Sequence, residues 1–297
     1  MSQGKKKMSL EKKHSLTGWS FLTPAALLIL VMNFYPMFKA LLLSFQSGKG
    51  NKLKFAGLYN YQRMFQDAVF IQSIKNCFFY LIIQVPIMLI LALMLASMLN
   101  NKDLKFKGLF RTAIFLPCAT SLVSYATIFR SLFATDGLIN TALIKLGILD
   151  VGYSFLTHPT SARIVNILAL IWRWTGYNMV FYLAALQNID YSIYEAARID
   201  GASAFAIFRK MTIPLLKPTI LLTVIMSTNG TLQLFDESVN LTGGGPANAT
   251  ITMSHYIYDI SFKYVPNFGY AAAMSYLILI LVAVLAFIQM KVGDSRE

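Results

Sequence analysis

The chain has 297 residues, 56% of them hydrophobic and only 13% charged, against a soluble norm of about 45–50% apolar and about 25% charged. With a mean hydropathy of +0.57, disorder, a collagenous chain and an ordinary soluble enzyme are excluded. The formal charge of +13 points to basic loops facing an anionic leaflet rather than to nucleic acid. Cys77 and Cys118 both sit in apolar stretches, so neither a disulfide framework nor a metal site is read from them.

Residues 1–13 carry five lysines. The apolar run that follows is too long for a signal-peptide core and lacks a small-residue cleavage site, so it is read as a retained first span. A bilayer core of about 30 Å needs about 20 mostly apolar helical residues to cross it. Six stretches qualify: Phe21–Leu43, Asn76–Leu99, Arg111–Phe129, Ile164–Leu186, Pro218–Phe235 and Tyr270–Met290. The expected architecture is an all-α polytopic membrane protein. It has a basic tail over 1–20, one six-span domain over 21–290 and a short tail over 291–297.

Six spans place both termini on one side. The two termini and the loops 100–111 and 187–217 hold 15 Lys/Arg in 72 positions, and the other three loops hold 9 in 101. The positive-inside rule then assigns both termini and the loop 187–217 to the cytoplasm. The opposite loops are 44–75, 130–163 and 235–269.

The loop 187–217 reads as structured. Ser192-Ile193-Tyr194-Glu195 fits a capping box, in which Ser192 accepts from the Glu195 amide and Glu195 reaches back. Ala196 to Ile199 continue a short helix, and Gly201 is placed to end it in a left-handed conformation. A second helix is expected over Ser203–Met211, with Pro214 and Pro218 breaking the chain before the fifth span. By its residues alone this hairpin could equally lie on lipid.

Glu195-Ala196-Ala197-Arg198-Ile199-Asp200-Gly201-Ala202-Ser203, followed by Ile213-Pro214-Leu215-Leu216-Lys217-Pro218, closely resembles the EAA loop of binding-protein-dependent ABC importer permeases. The likeness extends to Phe21-Leu22-Thr23-Pro24, Asp136-Gly137-Leu138-Ile139-Asn140, Leu241-Thr242-Gly243-Gly244-Gly245-Pro246 and Phe268-Gly269-Tyr270-Ala271-Ala272-Ala273. The chain is most similar to the maltose and glycerol-phosphate permease branch, without added amino-terminal spans.

The resemblance implies a type I (MetI-like) permease fold in a bacterial cell membrane. It implies that Glu195, Ala196, Ala197, Asp200, Gly201, Ile213 and Pro214 form the coupling surface. Glu195 would face basic groups of a separate dimeric ABC ATPase, the alanines would allow close approach, and Gly201 would form the elbow. The partners implied are that ATPase, a second homologous permease subunit, an extracellular solute-binding protein and a sugar, within the lipid bilayer. No cofactor is expected on this chain, ATP being bound by the partner. That fits the absence of a G-x-x-x-x-G-K-[ST] run, an HExxH and a CxxC.

Polar residues inside spans are site candidates. The fifth stretch carries Ser227, Thr228, Asn229, Gly230, Thr231 and Gln233, with Asn229 and Gln233 one helical turn apart. The fourth carries Trp172, Arg173, Trp174, Tyr177 and Asn178. Amides donate and accept toward hydroxyls, and aromatic faces stack on sugar rings. Tyr177, Trp174, Asn229, Gly230 and Gln233 are therefore the substrate candidates, near the family's positions, with helix–helix packing as the alternative role. Arg173 is expected to pair with Asp236 or Glu237, or else to meet an anionic substrate. Asn240-Leu241-Thr242 and Asn248-Ala249-Thr250 match the glycosylation pattern by chance. A secondary transporter would want intramembrane carboxylates, and none of the thirteen acids lies mid-span. Glycerol-3-phosphate remains the alternative solute.

Overall fold

The computed structural model describes residues 9–293 apart from 51, 102 and 103, so residues 1–8 and 294–297 of the two expected tails lie outside the described residues. A first helix, α1 (Leu10–Ser44), widens into a π turn at Leu30–Phe34 just before Pro36. Proline has no N–H to donate to the preceding turn, and the wider turn absorbs that loss. The helix starts at Leu10, well before the expected Phe21, capped by Ser9, which accepts from the Lys12 amide at 3.4 Å.

The hairpin β1 (Gln46–Lys49) and β2 (Lys52–Phe55) is the one sheet among the described residues, pairing Gln46 with Phe55 and Lys49 with Lys52. Buried Asn60, on α2 (Tyr59–Met64), pins it by donating to the carbonyls of Ser44 and Gln46 at 2.8 and 2.7 Å.

The helix α3 (Ala68–Leu99) has 32 residues, about 48 Å at 1.5 Å per residue. Next comes a break that the sequence does not announce. In place of one span over Arg111–Phe129, the chain forms α4 (Lys107–Ala119) and α5 (Leu122–Leu132), bent by 99°. Pro117 ends one helix, Thr120 is extended, and Ser121 caps the next by accepting from the Ser124 amide at 3.2 Å. The short α6 (Leu138–Lys145) leads to α7 (Pro159–Gln187), which opens with proline at its first position.

Beyond α7 come α8 (Ser192–Ile199) and α9 (Ala204–Leu215), then α10 (Lys217–Leu232), bent 72° from α9. The chain ends with α11 (Met253–Tyr258) and α12 (Phe268–Gly293). Among the described residues, α1, α3 and α12 are long and apolar enough to cross a membrane, and each bent pair adds one if counted as a span, giving five. The helix α7 is long enough but more polar. Its Asn166, Arg173, Thr175 and Asn178 are buried against neighbouring helices.

The largest core lies between α3 and α7, where Met88, Leu89, Ala92, Leu93 and Ala96 meet Met179, Tyr182, Leu183 and Leu186. On its other side α7 touches α4 closely at Gly176, where a Cβ would stand 2.0 Å from the Ile114 carbonyl oxygen. Small residues at such crossings let backbones approach. A second core gathers Met64, Phe70, Cys77, Tyr270 and Met274 near the start of α3.

Asp67 organises that second region. Its Oδ1 accepts from the Val69 and Phe70 amides at 3.0 and 3.1 Å, and its Oδ2 accepts from the Tyr256 and Tyr270 hydroxyls at 2.7 and 2.8 Å. Burial raises the carboxyl pKa, but these hydrogen bonds together hold it below its ordinary value. The stabilising contribution is therefore complete above the unfolded pKa of about 3.9 and is lost as pH falls through the lower folded value. Asp67→Ala should cost about 1–2 kcal/mol, the scale of a lost cap, and flatten the acid limb of the thermal midpoint measured in detergent. An unchanged midpoint at neutral pH would contradict this role.

Candidate functional site

Two features stand out along the α7–α10 stretch. The first is a cavity of about 230 Å³ enclosed by α3, α7 and α10. Trp174, Tyr177 and Asn178 line it from α7, Ser227, Gly230 and Thr231 from α10, and Gln84 and Met88 from α3. The spacing 227, 230 and 231 is one helical face of α10, and Leu234, just past its end, joins the lining. Among the described residues the lining carries no charged side chain.

Hydrogen bonds fix this wall. Thr231 Oγ1 donates to Gln84 Oε1 at 3.3 Å, and Gln84 Nε2 points to Met88 Sδ at 3.1 Å. Asn178 Nδ2 donates to the Trp174 carbonyl at 3.0 Å. Trp174 stands edge-on to Tyr177, with centroids 5.7 Å apart, and its Nε1 donates to buried Glu237 Oε1 at 3.4 Å. The cavity thus presents aromatic surface on one side and amide and hydroxyl groups on another.

Three sequence candidates, Trp174, Tyr177 and Gly230, meet here. Asn229 and Gln233 are not among the lining residues: both are exposed, and the Gln233 amide donates to Asn229 Oδ1. They stand one turn apart, beside the lining residues Met226 and Gly230. Gln84 and Met88 were missed, although a glutamine inside an apolar run is itself a signal. Arg173 makes no ion pair with Asp236 or Glu237. Its guanidinium lies over the Tyr125 and Trp174 rings, 5.0 and 5.6 Å from their centroids, and leaves Nε and one terminal nitrogen without acceptors.

The second feature is the loop from Asn188 to Leu216. The expected capping box is absent. Tyr191 already has helical dihedrals, and Asp190 Oδ1, not Ser192, accepts the first amide, from Ser192 at 3.0 Å. The Glu195 amide bonds the Tyr191 carbonyl at 3.1 Å, so the helix begins a residue earlier and Glu195 is left exposed. At the other end the glycine stop forms as expected. Gly201 has φ +78°, its amide bonds the Arg198 carbonyl at 3.1 Å, and the Ala202 amide bonds the Ala197 carbonyl at 2.9 Å, the paired bonds of a Schellman stop. Ser203 caps α9 by accepting from the Ala206 amide at 3.2 Å.

Of the coupling candidates, Glu195, Ala196, Asp200, Gly201 and Pro214 are exposed. Ala197 is buried, as is Tyr194. Ile213 is half-buried and packs on the α3–α7 core. Ile199, 86% exposed, and Phe205, 71% exposed, give the outer surface an apolar character between the carboxylates. A π turn at Phe208–Thr212 carries α9 into Pro214, and the bend before Lys217 re-aims the chain into α10.

A cavity bounded by apolar helices, with a structured helix pair joined to the same helices, defines a membrane-embedded transport subunit. The chain belongs to the family described as binding-protein-dependent transport system inner membrane component, whose model matches residues 70–296. It is 51% identical over 291 residues to the lactose transport system permease protein LacF of Rhizobium radiobacter, covering 97% of this chain and 98% of that one. It is 32% identical to the arabinooligosaccharides transport system permease protein AraP of Halalkalibacterium halodurans, over 91% of this chain and 85% of that one. In fold it matches a chain from the crystal structure of a bacterial ABC transporter involved in the import of the acidic polysaccharide alginate. The TM-score is 0.84 at 23% identity, covering 96% of this chain and 98% of that chain.

The Gly230 position gives a direct test of the cavity. A Cβ there meets nothing within 4 Å, and leucine is favoured over glycine in a helix by about 1 kcal/mol. Gly230→Leu should therefore insert and fold with an undiminished thermal midpoint while solute uptake falls to background. Undiminished uptake would place the path elsewhere.

Proposed function

We propose that this chain is one permease subunit of an ATP-driven importer for a neutral sugar of oligosaccharide type. The single observation that carries the substrate class is the cavity lining: Trp174 and Tyr177 offer ring faces, Gln84, Asn178, Ser227 and Thr231 offer hydrogen bonds, and no charged side chain stands there among the described residues. The uncharged lining favours a sugar over glycerol-3-phosphate. The similarity to a lactose permease protein along nearly the whole chain supports the same reading.

The remaining assignments follow from chemistry and topology. Counting α7, the bent pair α4–α5 and α10 as spans beside α1, α3 and α12 gives six, with α8 and α9 in the loop over 187–217 and that loop and the termini on the cytoplasmic side. At about 230 Å³ the cavity falls below the roughly 300–1,000 Å³ of ordinary ligand pockets. It is therefore half of a site, completed by a second, homologous permease. The exposed face of Glu195, Ala196, Ile199 and Asp200 docks on one groove of a dimeric ABC ATPase, and the partner permease fills the other. A solute-binding protein delivers sugar to the opposite side. ATP binding closes the ATPase, the loop moves with it, and the helices rooted in the loop reopen the cavity outward, a rigid-body form of alternating access.

Gly201 tests the coupling step. A β-branched side chain at φ +78° is a genuine backbone outlier, costing about 1–2 kcal/mol, although nothing crowds the position. In proteoliposomes containing the complete complex, Gly201→Val should insert normally and lose ATP-dependent uptake of radiolabelled lactose. Wild-type uptake by this variant, or uptake driven by an ion gradient without ATP, would overturn the assignment.

A further inference from the structure

Glu237 is a buried charge that alternating access, as described, leaves without a task. It is 3% exposed and, among the described residues, forms no ion pair. A carboxylate taken out of water is costly unless hydrogen bonds and an opposing charge answer it. Two neighbours do so. Its Oε1 accepts from the Trp174 indole Nε1 at 3.4 Å, and Arg173, itself buried, supplies the opposing charge from beyond ion-pair distance.

The backbone holds this acceptor in place. Glu237 immediately precedes the π turn Ser238–Thr242. The Ser238 hydroxyl donates to the Thr250 carbonyl at 2.8 Å, and the Ser238 carbonyl accepts from the Gly244 amide at 2.9 Å. Trp174 in turn lines the cavity, whereas Glu237 is not among the lining residues. Three groups fix the indole: Glu237 at its N–H, Arg173 over the ring at 5.6 Å from the centroid, and Tyr177 edge-on with centroids 5.7 Å apart. Of the three, only the hydrogen bond to Glu237 specifies which edge of the indole turns where. It also spends the single donor that a tryptophan side chain has. Trp174 then has no hydrogen bond to offer a sugar hydroxyl and presents ring carbon alone.

We propose that Glu237 is a positioning residue for sugar recognition. It holds the Trp174 indole by its N–H so that the ring meets the C–H face of a pyranose, and the hydroxyls of that sugar fall to Gln84, Asn178, Ser227 and Thr231. This rests on the cavity being the sugar site, as proposed above, and on neither the ATPase nor the count of spans.

Two variants separate the hydrogen bond from the charge. Glu237→Gln keeps an acceptor oxygen without the charge, and Glu237→Met fills similar space with neither. The first readout needs no sugar. In the full chain in nanodiscs, isotopically labelled at its indole nitrogens, the Trp174 signal is assigned by its loss in Trp174→Phe. It should shift in Glu237→Met and return most of the way in Glu237→Gln. The second readout is lactose uptake by the complete complex in proteoliposomes. Glu237→Met should lower it about tenfold, the size of one hydrogen bond, and cause no further loss in a chain already carrying Trp174→Phe. Glu237→Gln should stay within about twofold of wild type, as for a change that keeps the contact. An unmoved Trp174 signal in Glu237→Met, equal uptake losses in Glu237→Gln and Glu237→Met, or a full further loss on top of Trp174→Phe would overturn the proposal. A wild-type complex that imports no lactose refutes the choice of sugar alone, because the indole signal is read without sugar and still decides whether Glu237 holds the ring.

Discussion

The interlock of α3 with α7 is the constraint on which the rest of the chain depends. Ala92 and Ala96 are fully buried there, which lets the two helices approach closely enough for Met88, Leu89 and Leu93 to mesh with Met179, Tyr182 and Leu183. The seam joins the two functional features. Met88, at one end, also lines the cavity beside Trp174 and Tyr177. Near the other end Leu216 is buried in the same cluster, with Phe208 and Ile213 of the loop packed against it. The loop is thus rooted in the same packed body that forms the cavity wall, and close-packed interiors transmit displacement rather than absorb it.

Polar groups within this body follow a consistent rule. Buried side chains cost free energy unless they are hydrogen-bonded, and most here are. Asn166 donates to the Tyr80 hydroxyl at 3.2 Å, Tyr182 donates to Thr223 at 2.6 Å, and Gln289 donates to Thr228 at 2.7 Å. Arg163 holds the segment after the glycine cluster in place, donating to the Ala249 carbonyl at 2.8 Å, and Asn76 donates to the carbonyls of Asn248 and Ile251 at 2.9 Å. Arg173 departs from the rule. It is buried without a carboxylate partner and rests instead on aromatic faces, an attraction that gains strength on desolvation.

What the sequence revealed and what it concealed divide along physical lines. Helix positions were legible because apolar length is a one-dimensional signal. The glycine stop was legible because a left-handed residue has few occupants. The capping box was not, since Asp190 and Ser192 compete for the same role two residues apart and the first amide went to the carboxylate. The break at Thr120 escaped because a proline near a helix end and one in a continuous span look alike in sequence. Asn229 and Gln233 were placed on one face by their spacing, but spacing does not say which face meets the cavity. That depended on the rotation of α10 against α3, fixed by Thr231 reaching Gln84 across 147 positions of sequence.

The central claim is that loop and cavity wall move as one body. Spin labels at Lys210, exposed on the loop, and Val180, exposed on α7, would report it, with Cys77 and Cys118 replaced by alanine in the complete complex in nanodiscs. The account predicts the same distance distribution without nucleotide and with ATP trapped. It also predicts a shorter distance between the Lys210 label and a label on the corresponding loop of the partner permease. A shift of the Lys210–Val180 distance on ATP binding, with no approach of the two loops, would contradict it.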